Sequence, residues 1–347
     1  MKNELFSLSV LTITILCILV ILLKYLIIRK TLDLRNREKI ENYKETYNPH
    51  IYRMLTEGTY SRKLKPETGL QQKAFEELLS RYIKVIEGVE EKERLSELAS
   101  MYLSDYYRKR LNSIKWSTRM NTLYHIEDFH MISLLDDVYL LTKKKQLSHE
   151  ELVHSLRILA LFKFESILNL LTTKYRHLTE YDYRHILLRL HEHQFDQFDQ
   201  LVLYFHKAEL SLQKAVLEVI SIKRELTYLP FIENIISSYL GEIKLRALKA
   251  VAQIGYVKNI DPYLDLLYST KWEERLVAAK LVGSLKEEKA LARLIELLHD
   301  QAWWVRSQAG QSISQFANGK DVLRKVLETS KDAFAKDMAW EWLHKGV

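Results

Sequence analysis

A basic residue returns along the last third of the chain at a nearly constant interval. Arg246, Arg275, Arg306 and Lys336 stand 29, 31 and 30 residues apart. Each opens an apolar segment: Leu245-Arg246-Ala247-Leu248, Arg275-Leu276-Val277-Ala278-Ala279, Val305-Arg306-Ser307-Gln308-Ala309 and Lys336-Asp337-Met338-Ala339. A second segment follows each one, and in Lys289 to Leu298 the apolar residues fall at i, i+3, i+4, i+7, the period of a helix with one buried face. Pro230 and Pro262 enter two of these second helices at matching places, where a first-turn proline loses no hydrogen bond. A period near 30 is one helix hairpin, which buries its apolar face only by stacking on its neighbours.

Composition agrees with helices throughout. The 347 residues include only nine glycines and four prolines, too few turn formers for sandwiches or barrels, while 47% are hydrophobic. One cysteine, Cys17, excludes an intramolecular disulfide.

The residues Leu297-Leu298-His299-Asp300-Gln301-Ala302-Trp303-Trp304-Val305-Arg306-Ser307-Gln308-Ala309 resemble the HEAT repeat family, with its apolar–Asp–Val-Arg–Ala pattern. The resemblance covers about 241 to 347. It implies an all-α fold, an α-α superhelix in which Arg246, Arg275, Asp300 and Arg306 form a ladder of hydrogen bonds between repeats. Thr270 stands where one unit would carry Asp, and Gly241 begins another, so the ladder is expected to be complete only in the third unit. Weaker helix pairs at 209–240, 179–208, 148–178 and 111–147 carry the rhythm toward the N-terminus, making 67–240 a region of degenerate repeats. Gln71 to Glu87 and Glu90 to Arg110 read as a further pair, parted at Gly88.

Leu5 to Leu23 is free of charge, about 28 Å as a helix, close to the roughly 30 Å of a hydrocarbon core. Residues 1–28 are therefore expected to form a single transmembrane anchor. Lys24, Arg29, Lys30, Arg35, Arg37, Lys39 and Lys44 follow it, so the positive-inside bias predicts an external N-terminus and a cytoplasmic repeat domain at the cell membrane. Residues 29–66 read as a basic juxtamembrane helix and linker, attracted to anionic headgroups, with the helix stopping at Asn48-Pro49.

Catalytic signatures are weak. Glu127/His130, Glu151/His154, Glu296/His299 and Glu341/His344 have the Glu-x-x-His spacing of di-iron bundles, but the first two pairs lie several repeats from the last two. Helix-surface pairing explains them without a metal. The HEAT-like deoxyhypusine hydroxylases hold iron on four equivalent His-Glu dipeptides. Here His149-Glu150 and His191-Glu192 are not equivalent, because Ser148 and Glu151 read as a capping box. No Gly-rich phosphate loop and no chromophore constellation like that of the HEAT-like phycobilin lyases occurs. The runs Arg108-Lys109-Arg110 and Lys143-Lys144-Lys145 suit phosphates, yet more than half of the net charge of +7 lies in the first 44 residues.

The expectation is a membrane-anchored scaffold or adaptor with no enzymatic activity, no metal or cofactor, and neither nucleic acid nor a small molecule as ligand. A nucleic-acid-binding HEAT-like protein and a metal-dependent HEAT-like enzyme are the alternatives. A protein partner would lie in a concave groove lined by second helices, on Tyr263, Tyr268, Arg293, Arg324 and Lys325. Trp116, Trp272 and Trp303, each three residues before an arginine, are read as packing at the turns between repeats, with Trp304 exposed.

Overall fold

The structure is a computed structural model. It describes residues 2–61 and 64–345, with side chains in the first stretch at residue 11 and from residue 13 onward. Among the described residues there are helices and no strands, in two compact units that divide between Phe162 and Lys163.

The first unit opens on one long helix, α1 (Lys2–Glu57). Its residues Ile40, Lys44, Tyr47, Ile51 and Leu55 are buried at helical spacing against α2 (Gly69–Tyr82) and α3 (Val89–Leu111). That face explains why α1 runs through Pro49 instead of stopping there. The lost hydrogen bond costs about 3 kcal/mol, and burying Ile51 and Leu55 beyond the proline returns roughly 1.5–3 kcal/mol each. The helix ends at Gly58, whose φ of +68° suits a left-handed cap and whose N–H donates to the Met54 carbonyl at 3.1 Å. Residues 29–57 are thus helix, and the linker is confined to the segment between α1 and α2.

The transmembrane anchor and the single-pass localisation built on it are not supported. Among the described residues no helix is long and apolar enough to cross a membrane. The expected external end, Met1, lies outside the described residues.

The unit continues with α4 (Trp116–Asp128), α5 (Leu135–Leu141) and α6 (His149–Leu161), where α4 packs on α6. Ser148 caps α6, and its hydroxyl and the Glu151 carboxylate exchange hydrogen bonds with each other's backbone N–H.

The second unit begins with the short α7 (Ile167–Asn169) running into a π-turn at Leu170–Lys174. First helices then alternate with second helices. The first helices are α8 (Glu180–His193), α10 (Leu210–Lys223), α12 (Gly241–Ile254), α14 (Trp272–Ser284), α16 (Trp303–Ser314) and α18 (Ala333–His344). The second are α9 (Phe195–Tyr204), α11 (Leu229–Ser238), α13 (Asp261–Asp265), α15 (Leu291–Leu297) and α17 (Gly319–Thr329), and Pro230 and Pro262 stand in the first turns of α11 and α13.

The repeat is stricter than the arginine spacing suggests. Val216, Leu217, Val219 and Ile220 are buried in α10, and every one of them has a buried counterpart 31 residues on in α12: Ala247, Leu248, Ala250 and Val251. The same step gives Ala278, Ala279, Leu281 and Val282 in α14, then Ala309, Gly310, Ser312 and Ile313 in α16. Each first helix packs directly on the next, whereas the backbones of neighbouring second helices stand farther apart and meet through side chains such as Arg293 on the Leu267 carbonyl. The first helices therefore form the inner, converging row of the stack.

Candidate binding groove

An open groove of about 850 Å³ runs across that inner row. It is lined by Glu180, Tyr181 and Arg184 of α8, Leu217, Glu218 and Ser221 of α10, Leu245, Arg246 and Lys249 of α12, Trp272, Glu273, Leu276 and Val277 of α14, and Trp304 of α16. All five helices are first helices, so the groove lies on the opposite row from the one expected. Convergence explains the reversal: Arg246 of α12 reaches over α10 to pair with Glu180 of α8, 66 residues earlier. Axes one helix apart are 8–10 Å from each other, and only on an inner row can side chains two helices apart meet. Arg184 pairs with Glu218 at 2.9 Å and stacks over Tyr181. The floor is aliphatic, and the aromatic walls stay open: Tyr181 is 62% exposed, Trp272 39% and Trp304 60%.

A repeated arginine clasp holds the turns between repeats. In α14 the Arg275 Nη1 donates to the carbonyls of Ser269 and Thr270 at 2.8 and 3.2 Å, while Nε and Nη2 grip the Asp300 carboxylate at 2.7 and 2.8 Å. In the first unit Arg119 repeats this with the carbonyls of Ser113 and Ile114, and with the Glu151 carboxylate at 2.5 and 3.1 Å. Arg306 makes the two carbonyl bonds, to Asp300 and Gln301, but its guanidinium then lies over the Phe334 ring instead of a carboxylate. The residue six before each arginine, namely Ser113, Ser269 or Asp300, accepts the N–H two positions on and tightens the turn.

Burial raises the Glu151 and Asp300 carboxyls, but the hydrogen bonds and charge of Arg119 and Arg275, together with the backbone N–H groups of Ser148 and Ala302, outweigh it and leave both below their ordinary values. Glu127 shows the same balance: burial raises it, while His154 and Arg157 together bring it down to about 2.

Residues 228–314 and 260–343 match the family model for HEAT repeats. This segment carries HEAT repeats. Among solved structures the chain is similar to an engineered protein at 14% identity, covering 86% of this chain and all of that one, with a TM-score of 0.40. It is similar to Kap121p at 12% identity, covering 87% of this chain and 42% of that one, with a TM-score of 0.46. No curated protein matches.

The ladder differs from expectation in register at two places, Arg246 and Thr270, and the residue at the Asp300 position of the earlier unit is Ser269. Arg246 is not the counterpart of Arg275, because the 31-residue step leads back to Lys244, which pairs with Glu274 at 3.3 Å. Glu274 also accepts the Ser269 hydroxyl at 2.6 Å, so it supplies the carboxylate that Ser269 lacks at the Asp300 position. Arg275, Asp300 and Arg306 stand at the turns between helices.

The five expected groove residues lie on the second-helix side. Tyr263 is buried, 4% exposed, beside a smaller hollow of about 600 Å³ bordered by α11 and α13. Tyr268 and Arg293 come together, with the guanidinium 4.2 Å from the ring and bonded to the Leu267 carbonyl and Glu296. Arg324 is exposed and paired with Asp321, and Lys325 is exposed. None of the five lines the larger groove.

The Glu-x-x-His spacing does not describe partners either. Glu127 faces His154 of α6 at 3.1 Å, and His130 lies past the end of α4 at a φ of +52°. Glu151 belongs to Arg119. His191 is buried among Phe195, Phe198 and Tyr228, with Glu225 at 3.3 Å. Among the described residues no cluster of three or more His, Cys, Asp or Glu has the arrangement of a metal site.

Proposed function

We propose that this chain is a scaffold without enzymatic activity that binds a protein partner along the groove of its first helices. The observation behind this reading is the set of exposed aromatic walls, Tyr181, Trp272 and Trp304, around an aliphatic floor contributed by successive repeats. Large aromatic side chains left open around an apolar floor are the anchors on which protein interfaces concentrate their energy. The groove is open along its length and contributed by five helices, a shape that fits an extended or helical segment of another chain better than a small substrate.

The test is truncation of the walls. Trp272→Ala with Trp304→Ala is expected to weaken partner binding by about 30-fold or more, corresponding to roughly 2 kcal/mol or above for such anchors. Arg324→Glu with Lys325→Glu, on the second-helix side, is expected to leave it unchanged. Titration of the purified chain with the partner by calorimetry reads both, and the reverse pattern contradicts the proposal.

A further inference from the structure

The groove lining is balanced, Arg184, Arg246 and Lys249 against Glu180, Glu218 and Glu273, and the unmatched positive charge lies at one end of it, where Lys249 meets Lys280 and Arg224 beyond the lining. Glu218, Lys249 and Lys280 stand at equivalent positions of α10, α12 and α14, each 31 residues from the next. Glu218 has Arg184 as its partner. Lys249 lines the groove, and Lys280 extends its face, because Glu273, Leu276 and Val277 precede it at helical spacing on α14. Neither lysine makes an ion pair among the described residues, and adjacent helix axes 8–10 Å apart put the two in the same field. Arg224, which caps α10 at a φ of +56°, closes the cluster, and its guanidinium donates to the neutral Gln253 amide oxygen at 3.2 Å. The strain registers on Lys280: burial lowers its pKa first, and Lys249 and Arg224 lower it further, with no carboxylate acting in the other direction.

We propose that the occupant of this groove is an acidic amphipathic peptide segment. Its apolar side chains would lie on Leu245, Leu276 and Val277 between the tryptophans, and its carboxylates would meet Lys249, Lys280 and Arg224. The inference rests on the scaffold reading and adds the partner's chemistry. A nucleic-acid strand fits less well, because the three cations of this end answer few of the charges that such a backbone carries on every nucleotide, and it has no apolar side chains for the floor.

The test uses the full chain and three labelled pools of synthetic helical peptides with the same apolar positions, carrying Glu, Gln or Lys elsewhere, together with a labelled single-stranded oligonucleotide. Fluorescence polarisation is expected to show the Glu pool binding about tenfold tighter than the Gln pool. Lys249→Glu with Lys280→Glu, which relieves repulsion and should keep the melting temperature, is expected to abolish that preference and turn it toward the Lys pool. Equal binding of the Glu and Gln pools, both lost in the Trp272→Ala/Trp304→Ala variant, overturns the acidic assignment and leaves the groove standing. Tighter binding of the oligonucleotide also overturns it. Failure of every pool to bind overturns the assignment and the groove together.

Discussion

Replacing Arg119 with Met is expected to destabilise the first unit by about 3–5 kcal/mol, the range for removing one member of a buried ion pair. Glu151 is completely buried, and its carboxylate also closes the cap of α6, so loss of the guanidinium strands a charge at the start of a helix. The same change releases the carbonyls of Ser113 and Ile114. Urea denaturation followed by circular dichroism measures the loss. Adding Glu151→Gln is expected to recover a good part of it, because the double variant buries no unpaired charge. If the double variant is no more stable than Arg119→Met, the stranded carboxylate is not the cause.

The second large effect is steric. A Cβ built on Gly283 of α14 would lie 2.4 Å from the Ser312 Cβ and 2.8 Å from its Cα on α16, and Ser312 is fixed there by a hydrogen bond to the Ala279 carbonyl at 2.8 Å. Backbone must move to admit even alanine. Gly283→Val is expected to cost about 3 kcal/mol or more and to lower the melting temperature of the second unit by about 10 °C, at 2–4 °C per kcal/mol. Ser312→Gly in the same chain is expected to return part of that loss by clearing the facing atoms. Scanning calorimetry of the single and double variants checks both statements.

Much of this architecture was legible because helix hairpins announce themselves locally. The proline entries at Pro230 and Pro262 and the capping box at Ser148 and Glu151 are short-range chemistry, and the structure places each where the spacing implies. What failed was long-range or depended on register. Arg246 shares an apolar neighbourhood with Arg275, so spacing alone admits a slip of two residues. The period of buried alanines and valines fixes the register, and it was the signal that could have pointed to Lys244. Pro49 reads as a stop only if the face beyond it has nothing to bury, and the value of Ile51 and Leu55 comes from α2 and α3. Which row of helices converges is set by side-chain volumes across interfaces, such as the close approach at Gly283, and no periodicity encodes it. The carboxylates Glu127 and Glu151 looked like halves of surface pairs because their true partners, Arg157, His154 and Arg119, are about 30 residues away.

The central claim is that the row of first helices is the face that holds a partner. A photo-crosslinking amino acid placed in turn at Trp304, Lys249 and Lys325, with irradiation in cells that contain the partner, asks which face lies against it. Crosslinks from positions 304 and 249 to the same protein, and none from 325, are the predicted result. Crosslinks from 325 with silence at 304 and 249 would contradict the account.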